Sequence, residues 1–412
     1  MRRVVITGMG VVSPLGCDLN VVWDRLTAGK SGIRKVTKFD ASKLDAKIAG
    51  EVAEFNPDNF VGKKEQRRMD DFAIFAMAAS KLAVTDSGLD FSKEDTEKVG
   101  VIIGSGIGGF HTIELQHSVL RDKGPTRSSP FMIPQTISNM AGALVAIEFG
   151  LKGPNFCVVT ACASALHSMG QSMRLIQAGD ADVILSGGAE AGVCELSFAG
   201  FCALKALCST HNEDPEKASR PFDAGRSGFV MGEGSAILVL EELEHARKRG
   251  ARIYCELAGF GMSCDAYHMT APDESAAGPA RAMKAAMKDA AMNPENIDYV
   301  NAHGTSTELN DKCETKAIKL ALGEERARKT MISSTKSMTG HLLGAAGGIE
   351  SIVCAMAMHT GVVPPTINYE TPDPYCDLDY VPNTARHADV KACLNNSFGF
   401  GGHNACVLLR KM

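Results

Sequence analysis

The chain has 412 residues, of which 45% are hydrophobic and 22% are charged, and its net charge is −5. This composition is typical of a globular protein with two or three domains, and it excludes a disordered or collagen-like chain. The acidic balance gives no general attraction to nucleic acid or to an anionic membrane surface. No apolar run approaches the ~18 residues of a membrane span, so no membrane partner is predicted.

The predicted strands and helices alternate along the chain. The strand-like runs are Val4–Thr7, Val99–Gly104, Val158–Thr160, Val183–Ser186, Ala236–Leu240, Tyr299–Ala302, Met331–Ser334 and Ala405–Leu409. The helical patterns are Arg68–Ser87, Cys162–Ala178, Ala276–Ala291 and Gly347–His359. Such alternation predicts an α/β fold with mostly parallel sheets that are covered on both faces.

Two segments of the first half resemble two segments of the second half, in the same order. Val5–Gly10 resembles Glu256–Gly261, and Val158–Cys162 resembles Ile332–Lys336. We therefore predict a duplicated chain, with an N-terminal half over residues 1–250 and a C-terminal half over residues 251–412. Because no linker-like composition separates them, the halves are expected to pack as one body.

The 13 cysteines are scattered, with no C-x-x-C pair and no zinc-site spacing. This pattern favours reduced thiols over a disulfide framework. The chain enters a strand-like run at Val4 without the shape of a signal peptide. We therefore expect a cytoplasmic protein or, in a plastid-bearing eukaryote, one of the organelle stroma.

Cys162 lies where an apolar β-branched run, Val158–Thr160, meets a helical pattern. The helical spacing begins at Ala163 and ends at Gly179. Unpaired backbone N–H groups and the positive end of the helix dipole favour a thiolate at such a position. The alternative is a buried, inert cysteine, which is common for this residue type. The small residues around the junction favour a nucleophile.

The second half contains basic side chains among small residues. His303 follows the strand-like Tyr299–Val300, and Lys336 lies shortly before Gly340–Gly348, a segment rich in small residues that contains His341. A lysine that is buried among small residues needs an anionic partner, and Glu350 is the nearest candidate in the sequence. The alternatives are a loop histidine with a structural hydrogen bond and a solvated surface turn.

Two glycine-rich segments differ in what they predict. Asn395–Asn404 contains Phe398 and Phe400 among glycines, which permit positive φ and let backbone N–H groups approach a ligand; the alternative is a tight hairpin. Gly104–Gly109 fits G-x-G-x-x-G, but no acidic residue about 20 positions later closes a second strand. No nucleotide cofactor is predicted.

Cys162, His303, Lys336 and His341, followed by the Gly-Phe-Gly-Gly loop, resemble in their order the β-ketoacyl-acyl carrier protein synthases. Matches over Val4–Gly10, Ser219–Asp223, Gly228–Gly234 and Phe400–Gly402 extend the resemblance along the chain. The most similar subgroup is the elongating enzymes of type II fatty-acid synthesis. The resemblance implies a thiolase-like duplicated fold, with five layers αβαβα and two mixed sheets.

The resemblance also implies the chemistry, a decarboxylative Claisen condensation of acyl-carrier protein with malonyl-carrier protein. Cys162 would hold the acyl chain as a thioester, and His303 and His341 would hydrogen-bond the malonyl thioester oxygen. Backbone N–H groups of Cys162 and Phe400 would bind the tetrahedral oxyanion, and Lys336 would position the histidines. No redox cofactor or catalytic metal is implied, because phosphopantetheine arrives on the carrier protein.

Further roles are implied for residues around this centre. Thr270, Thr305 and Thr307 match positions that bind the phosphopantetheine arm, Ile107 matches a pocket-floor position, and Phe400 matches a gate, while Phe398 is a substrate-pocket candidate. Carrier-protein docking needs a basic patch, for which the candidates are Lys63, Lys64, Arg67, Arg68, Arg127 and Lys205. A monovalent cation is expected near Asn301, Glu350, Asn395 and Asn396, and the protein is expected to be a homodimer.

Some features depart from the family pattern. Ala163–Ala165 stands where many members have Thr-Ser-Gly, which leaves the chain-length preference open, and His403 stands where a threonine is common. A type II polyketide ketosynthase subunit would keep every motif and remains an alternative. A biosynthetic thiolase would use a second cysteine as base, a chain-length factor would lack Cys162, and a cysteine hydrolase would need an Asp or Asn to orient a histidine.

Overall fold

The computed structural model describes residues 2–412. The strands are β1 Val4–Val12, β2 Arg34–Lys35, β3 Ile48–Ala49, β4 Val99–Gly104, β5 Asn155–Phe156, β6 Val183–Glu190, β7 Gly234–Glu242, β8 Cys255–Cys264, β9 Tyr299–Asn301, β10 Met331–Ser333, β11 Val362–Val363, β12 Arg386–His387, β13 Ala392–Gly399 and β14 His403–Arg410. The helices are α1 Leu19–Thr27, α2 Lys63–Gln66, α3 Asp71–Ser87, α4 Phe110–Lys123, α5 Met132–Thr136, α6 Met140–Phe149, α7 Ser164–Ala178, α8 Glu195–Ala203, α9 Leu243–Lys248, α10 Ala277–Asp289, α11 Glu308–Leu322, α12 Glu324–Lys329, α13 Lys336–Thr339 and α14 Ala346–Thr360.

The main sheet has two matching halves. Within residues 2–412, its ten strands run in the order β10-β9-β13-β14-β8-β1-β7-β6-β4-β5. Each half of the chain supplies five neighbouring strands, and both sets mix parallel and antiparallel pairs. The sets join where Val5 and Ile6 of β1 pair with Glu256 and Cys255 of β8. The two expected mixed sheets therefore share one edge.

Helices cover both faces of these sheets. Helices α7 and α14 lie between the two sets of strands and share a core with β1, β7 and β8. Helices α3 and α6 cover the outer face of the N-terminal set, and α10 and α11 cover that of the C-terminal set. This arrangement is the predicted αβαβα layering.

One predicted strand is wrong, and three predicted helices are too long: Arg68–Ser87, Cys162–Ala178 and Ala276–Ala291 are observed as Asp71–Ser87, Ser164–Ala178 and Ala277–Asp289. The apolar run Val158–Thr160 is irregular, because the chain leaves the sheet after β5 and turns toward the start of α7. Val159 is exposed there, so its β-branched side chain packs against no core. Helix α3 starts at Asp71 rather than Arg68, because the Asp70 carboxylate caps it by accepting from Phe72 N.

The described residues contain no helix that is long and apolar enough to cross a membrane. All 13 cysteines are free thiols.

Candidate active site

Cys162 occupies a tight turn immediately before α7. Ala161 has a left-handed backbone with φ of 49°. The hydroxyl of Ser164 fastens the turn, because it accepts from Thr160 N at 2.9 Å and donates to Ala161 O at 2.6 Å. The end of β13 comes so close that a Cβ on Gly399 would lie 2.5 Å from Thr160 O. Only glycine fits at position 399, so the end of β13 and the Cys162 turn pack backbone against backbone.

Two histidines from the C-terminal half face the thiol. His303 follows β9, and its backbone N–H donates to Glu314 Oε1 at 2.8 Å. His341 follows α13, and its backbone N–H donates to Val230 O at 2.7 Å. The two rings are nearly perpendicular, with centroids 5.3 Å apart. The Cys162 sulfur and one ring nitrogen of each histidine all lie within 4.8 Å of one another.

A buried ion pair stands behind the histidines. Lys336 Nζ donates to Glu350 Oε1, and both side chains are almost fully enclosed. Burial raises the pKa of Glu350 to about 7, although the Lys336 charge acts in the opposite direction. Neither residue lines the cavity, so the pair acts on the site through its neighbours.

The surroundings keep both imidazoles neutral. Burial, followed by the nearby Lys336 charge, holds the pKa of His303 and His341 well below the usual value. Both rings therefore carry a single N–H at neutral pH, as a hydrogen-bond donor to a developing oxyanion requires.

Burial also raises the pKa of the Cys162 thiol to about 12, while Lys336 opposes this shift. The resting thiol is therefore protonated. The helix N-terminus favours a thiolate, as the sequence indicates, but the effect of burial is larger. Any reaction in which this sulfur is the nucleophile must therefore include its deprotonation.

One cavity of about 530 Å³ unites most of the predicted site residues. Of the residues singled out in the sequence, those lining it are Ile107, Cys162, Lys205, Thr270, His303, Thr305, Thr307, His341, Phe398 and Phe400. The ring of Phe398 lies 5.6 Å from that of His303, and Thr305 and Thr307 join their hydroxyls at 3.0 Å. The cavity therefore contains apolar walls, a polar entrance and the thiol.

The remaining docking candidates lie outside the cavity. Lys63, Lys64, Arg67, Arg68 and Arg127 are all exposed. Lys63 lies 3.3 Å from Asp58, and the Arg68 guanidinium lies over the ring of Phe131. Lys63 and Lys64 belong to the short helix α2, and Arg67 and Arg68 follow it directly. These four residues form a local basic surface on an acidic protein.

The predicted cation residues carry buried oxygens. In the described part of the chain, Asn301 Oδ1, Glu350 Oε2, Asn395 Oδ1 and Asn396 Oδ1 have no hydrogen-bond partner. Their amide nitrogens are occupied, for example Asn395 Nδ2 by Gly347 O at 3.0 Å. Buried acceptors without donors are rare, and carbonyl and carboxylate oxygens are the ligands that hard cations prefer. This donor set fits a monovalent cation.

Sequence reasoning missed two residues of the site. Glu314 of α11 is fully buried and accepts from His303 N, Gly304 N and Asn396 Nδ2. Phe229 packs its ring against His341, with the centroids 5.4 Å apart. A glutamate within a helical pattern predicts a solvated face, so the sequence offers no signal for Glu314. Phe229 lies in a matched family segment, which was the available signal.

Known proteins resemble this chain over its whole length. Residues 1–246 match the family model described as beta-ketoacyl synthase, N-terminal domain, and residues 254–370 match the corresponding C-terminal domain. The relative from Synechocystis sp. named 3-oxoacyl-[acyl-carrier-protein] synthase 2 is 52% identical, covering 100% of this chain and 98% of the relative. The protein of the same name from Coxiella burnetii is 51% identical, with 100% and 99% covered.

Solved structures give the same picture. A beta-ketoacyl synthase from Burkholderia phymatum superposes with a TM-score of 0.92 at 36% identity, and 100% of each chain is covered. A type II polyketide ketosynthase, solved in complex with its acyl-carrier protein, superposes with a TM-score of 0.92 at 37% identity, with 100% of this chain and 99% of that chain covered.

Proposed function

The chain belongs to the beta-ketoacyl synthase family, and from this premise we propose its function. It catalyses the decarboxylative Claisen condensation of acyl-carrier protein with malonyl-carrier protein to give 3-oxoacyl-carrier protein, the elongation step of type II fatty-acid synthesis. The observation that carries the proposal is the convergence of the Cys162 sulfur with ring nitrogens of His303 and His341 within 4.8 Å. This arrangement brings a nucleophile and two neutral hydrogen-bond donors to one thioester.

The first half-reaction loads the acyl chain. The Cys162 sulfur attacks the carbonyl carbon of acyl-carrier protein, and the bond between that carbon and the carrier sulfur breaks. The thiol proton ends on the departing carrier sulfur, so the step consumes no external base. A neighbouring neutral imidazole can accept the proton in passing. The products are acyl-Cys162 and free carrier thiol.

The second half-reaction generates the carbon nucleophile. Malonyl-carrier protein loses CO₂, and the electron pair of the broken C–C bond forms an enolate on the thioester. N–H groups of His303 and His341 stabilise the enolate oxygen as an oxyanion hole does. The low pKa of both rings supports this role, because a neutral imidazole donates one N–H hydrogen bond without adding a buried charge.

Condensation then joins the two halves. The enolate carbon attacks the acyl-Cys162 carbonyl, and the tetrahedral oxyanion is held by backbone N–H groups of Cys162 and Phe400. The close contact between Gly399 and the Cys162 turn supports this role, because a Cβ on Gly399 would lie 3.2 Å from Cys162 N, which places the residue before Phe400 against the Cys162 backbone. Collapse of the oxyanion releases 3-oxoacyl-carrier protein and expels the Cys162 thiolate, which takes up one proton from solvent to restore the resting thiol.

Buried charges around the histidines have a supporting role in the proposal. Lys336, paired with Glu350, keeps the imidazoles neutral and in place. A monovalent cation at Asn301, Glu350, Asn395 and Asn396 would bind the side-chain oxygens that have no hydrogen-bond partner. It would thereby restrict the motion of the segments that carry His303 and His341. The reaction needs no redox cofactor or catalytic metal, because loss of CO₂ drives bond formation.

The carrier protein is the partner that delivers both substrates. Its phosphopantetheine arm would enter the cavity past Thr270, Thr305 and Thr307, with the acyl chain extending toward Ile107. The exposed basic residues on α2, together with Arg127 and Lys205, would meet the acidic carrier surface. The polyketide ketosynthase solved with its acyl-carrier protein supports this partner.

We propose that the enzyme is a homodimer of the cytoplasm or of an organelle stroma. Exposed apolar side chains lie on edge strand β5 and next to it, namely Phe156, Val159 and Ile137. Such a patch beside an unpaired strand edge favours association with a second copy. The 13 free thiols support a reducing compartment.

Intact mass spectrometry after incubation with acyl-carrier proteins of graded chain length tests the function. We expect one acyl adduct per chain, located on Cys162, followed by 3-oxoacyl-carrier protein once malonyl-carrier protein is added. A preference for an acetyl donor over a malonyl donor would instead support a thiolase. The absence of any adduct on the folded enzyme would contradict the proposal.

A further inference from the structure

We propose that Glu190 is a positioning residue that holds both walls of the acyl pocket and thereby sets chain-length selection. The inference rests on the proposed function, since it concerns the same pocket. Glu190 ends β6 and is fully buried, yet it belongs to none of the groups that carry the condensation chemistry.

The Glu190 carboxylate collects donors from both halves of the chain. Oε1 accepts from Ser105 Oγ at 2.8 Å and from Ile107 N at 3.2 Å. Oε2 accepts from Gly106 N at 2.7 Å and from Gly344 N at 2.8 Å. Both oxygens are thus fully used, and three of the four donors are backbone groups that no side-chain substitution can remove.

These donors lie directly next to the pocket walls. Ile107 and Leu343, the neighbour of Gly344, both line the cavity that contains Cys162. Two residues beyond Glu190, a Cβ on Gly192 would lie 3.2 Å from Leu343 Cδ1 and 3.5 Å from Ile107 Cδ1. One carboxylate therefore fixes the distance between the two walls, and the segment directly after β6 supplies the surface between them.

The two wall segments are in close contact with the Glu190 carboxylate. A Cβ on Gly106 or on Gly344 would lie 2.8 or 2.6 Å from Glu190 Oε2, so both segments approach the carboxylate as closely as backbone allows. Burial raises the pKa of Glu190, and the four donors act in the opposite direction by stabilising the carboxylate. Hydrogen bonds to this charged form are stronger than those to a neutral acceptor. The walls are therefore held more firmly than apolar packing alone would hold them.

Glutamine at this position is an almost isosteric probe. It keeps one oxygen acceptor, and its NH₂ group must face one of the two donor pairs. Ser105 can accept as well as donate, so the favourable orientation turns the NH₂ toward Ser105 and loses only the Ile107 N–H bond. Glu190→Gln should therefore loosen the Ile107 wall and leave the Gly344 wall, on the side of His341, in place.

The test compares Glu190→Gln with wild type in competition for acyl-carrier proteins of graded length, read as adduct masses on Cys162. We expect the ratio of long-chain to short-chain loading to change by about tenfold, the size of effect expected from one lost charged hydrogen bond. Malonyl decarboxylation, measured separately, should change by less than about threefold. Glu51→Gln is the matched control, because Glu51 is buried and accepts from Thr37 N and Lys38 N away from the pocket.

An unchanged length profile in folded Glu190→Gln would overturn the inference, as would an equal fall in loading of every length. A wild-type enzyme that forms no adduct would instead overturn the proposed function. Where Glu190→Gln does not fold, Ser105→Ala carries the test, because it removes one donor to Oε1, together with the acceptor that the hydroxyl provides for Gly108 N in the same wall segment. It should then shift the profile in a smaller degree, and an unchanged profile would again overturn the inference.

Discussion

The two sides of the active site are built by different means. On the thiol side, Cys162 is held by a backbone turn, the Ser164 hydroxyl and the close approach of Gly399. On the imidazole side, His303 and His341 are buried, and burial, followed by the nearby Lys336 charge, lowers the pKa of both rings. Backbone geometry places the proposed nucleophile, whereas burial and charge set the protonation state of the proposed donors. The two half-reactions should therefore be separable by substitution.

The largest effect is expected on the thiol side. Cys162→Ala removes the only sulfur within reach of both histidines among the described residues, so acyl transfer should be abolished. The measurement is the acyl adduct by intact mass spectrometry. Cys157→Ala is the control, because Cys157 is also a partly buried free thiol and should leave loading intact. Persistent loading of Cys162→Ala would place the nucleophile elsewhere.

On the imidazole side, His303→Ala should reduce malonyl decarboxylation by about 10²–10³-fold, the typical cost of one oxyanion donor. Acyl loading should fall much less. Release of CO₂ from malonyl-carrier protein provides the measurement, and His359→Ala serves as a control on an exposed histidine outside the cavity. Equal loss of both half-reactions would argue against the division between the two sides.

Ile107→Phe tests the wall of the acyl pocket. A larger side chain at this lining position should shorten the accepted chain and reduce loading of long acyl groups by about 10–200-fold, the range expected for apolar pocket contacts. Short acyl groups should load normally. Unchanged loading of long chains would remove Ile107 from the acyl path.

A smaller effect, a shift in pH dependence, is expected from Lys336→Met. The Lys336 charge lowers the pKa of His303 and His341, so its removal should raise both pKa values. The rings then become protonated at a higher pH, and the acid limb of decarboxylation should move upward from well below 6.5. The measurement is the pH–rate profile of the folded variant, checked by circular dichroism. An unmoved limb would assign the low pKa values to burial alone.

Local patterns predicted much of the fold. The predicted strand Val99–Gly104 has the bounds of β4. The similar segments Val5–Gly10 and Glu256–Gly261 lie in β1 and β8, the two strands at which the halves of the sheet join. The strand predicted over Val158–Thr160 is wrong, because a run of apolar β-branched residues has the same pattern in a paired strand and in a segment that leaves the sheet. Such an exit depends on tertiary contacts that periodicity does not record.

The site shows the same limit. Family motifs identified Cys162, His303 and His341, and the structure brings them together. They could not identify Glu190 or Glu314, because a buried carboxylate is defined by backbone donors that come from distant segments. Glu190, for example, accepts from Gly344, 154 positions away. The partners of backbone N–H groups become visible only in three dimensions.

In the proposed mechanism the imidazoles, and not the thiol, stabilise the malonyl-derived enolate. Cys162→Gln separates the two groups, because the glutamine side chain replaces the nucleophile and still fills the space next to His303 and His341. The measurement is CO₂ release from malonyl-carrier protein by the folded variant. The account predicts that decarboxylation continues while acyl loading is lost. Loss of decarboxylation together with loading would contradict it.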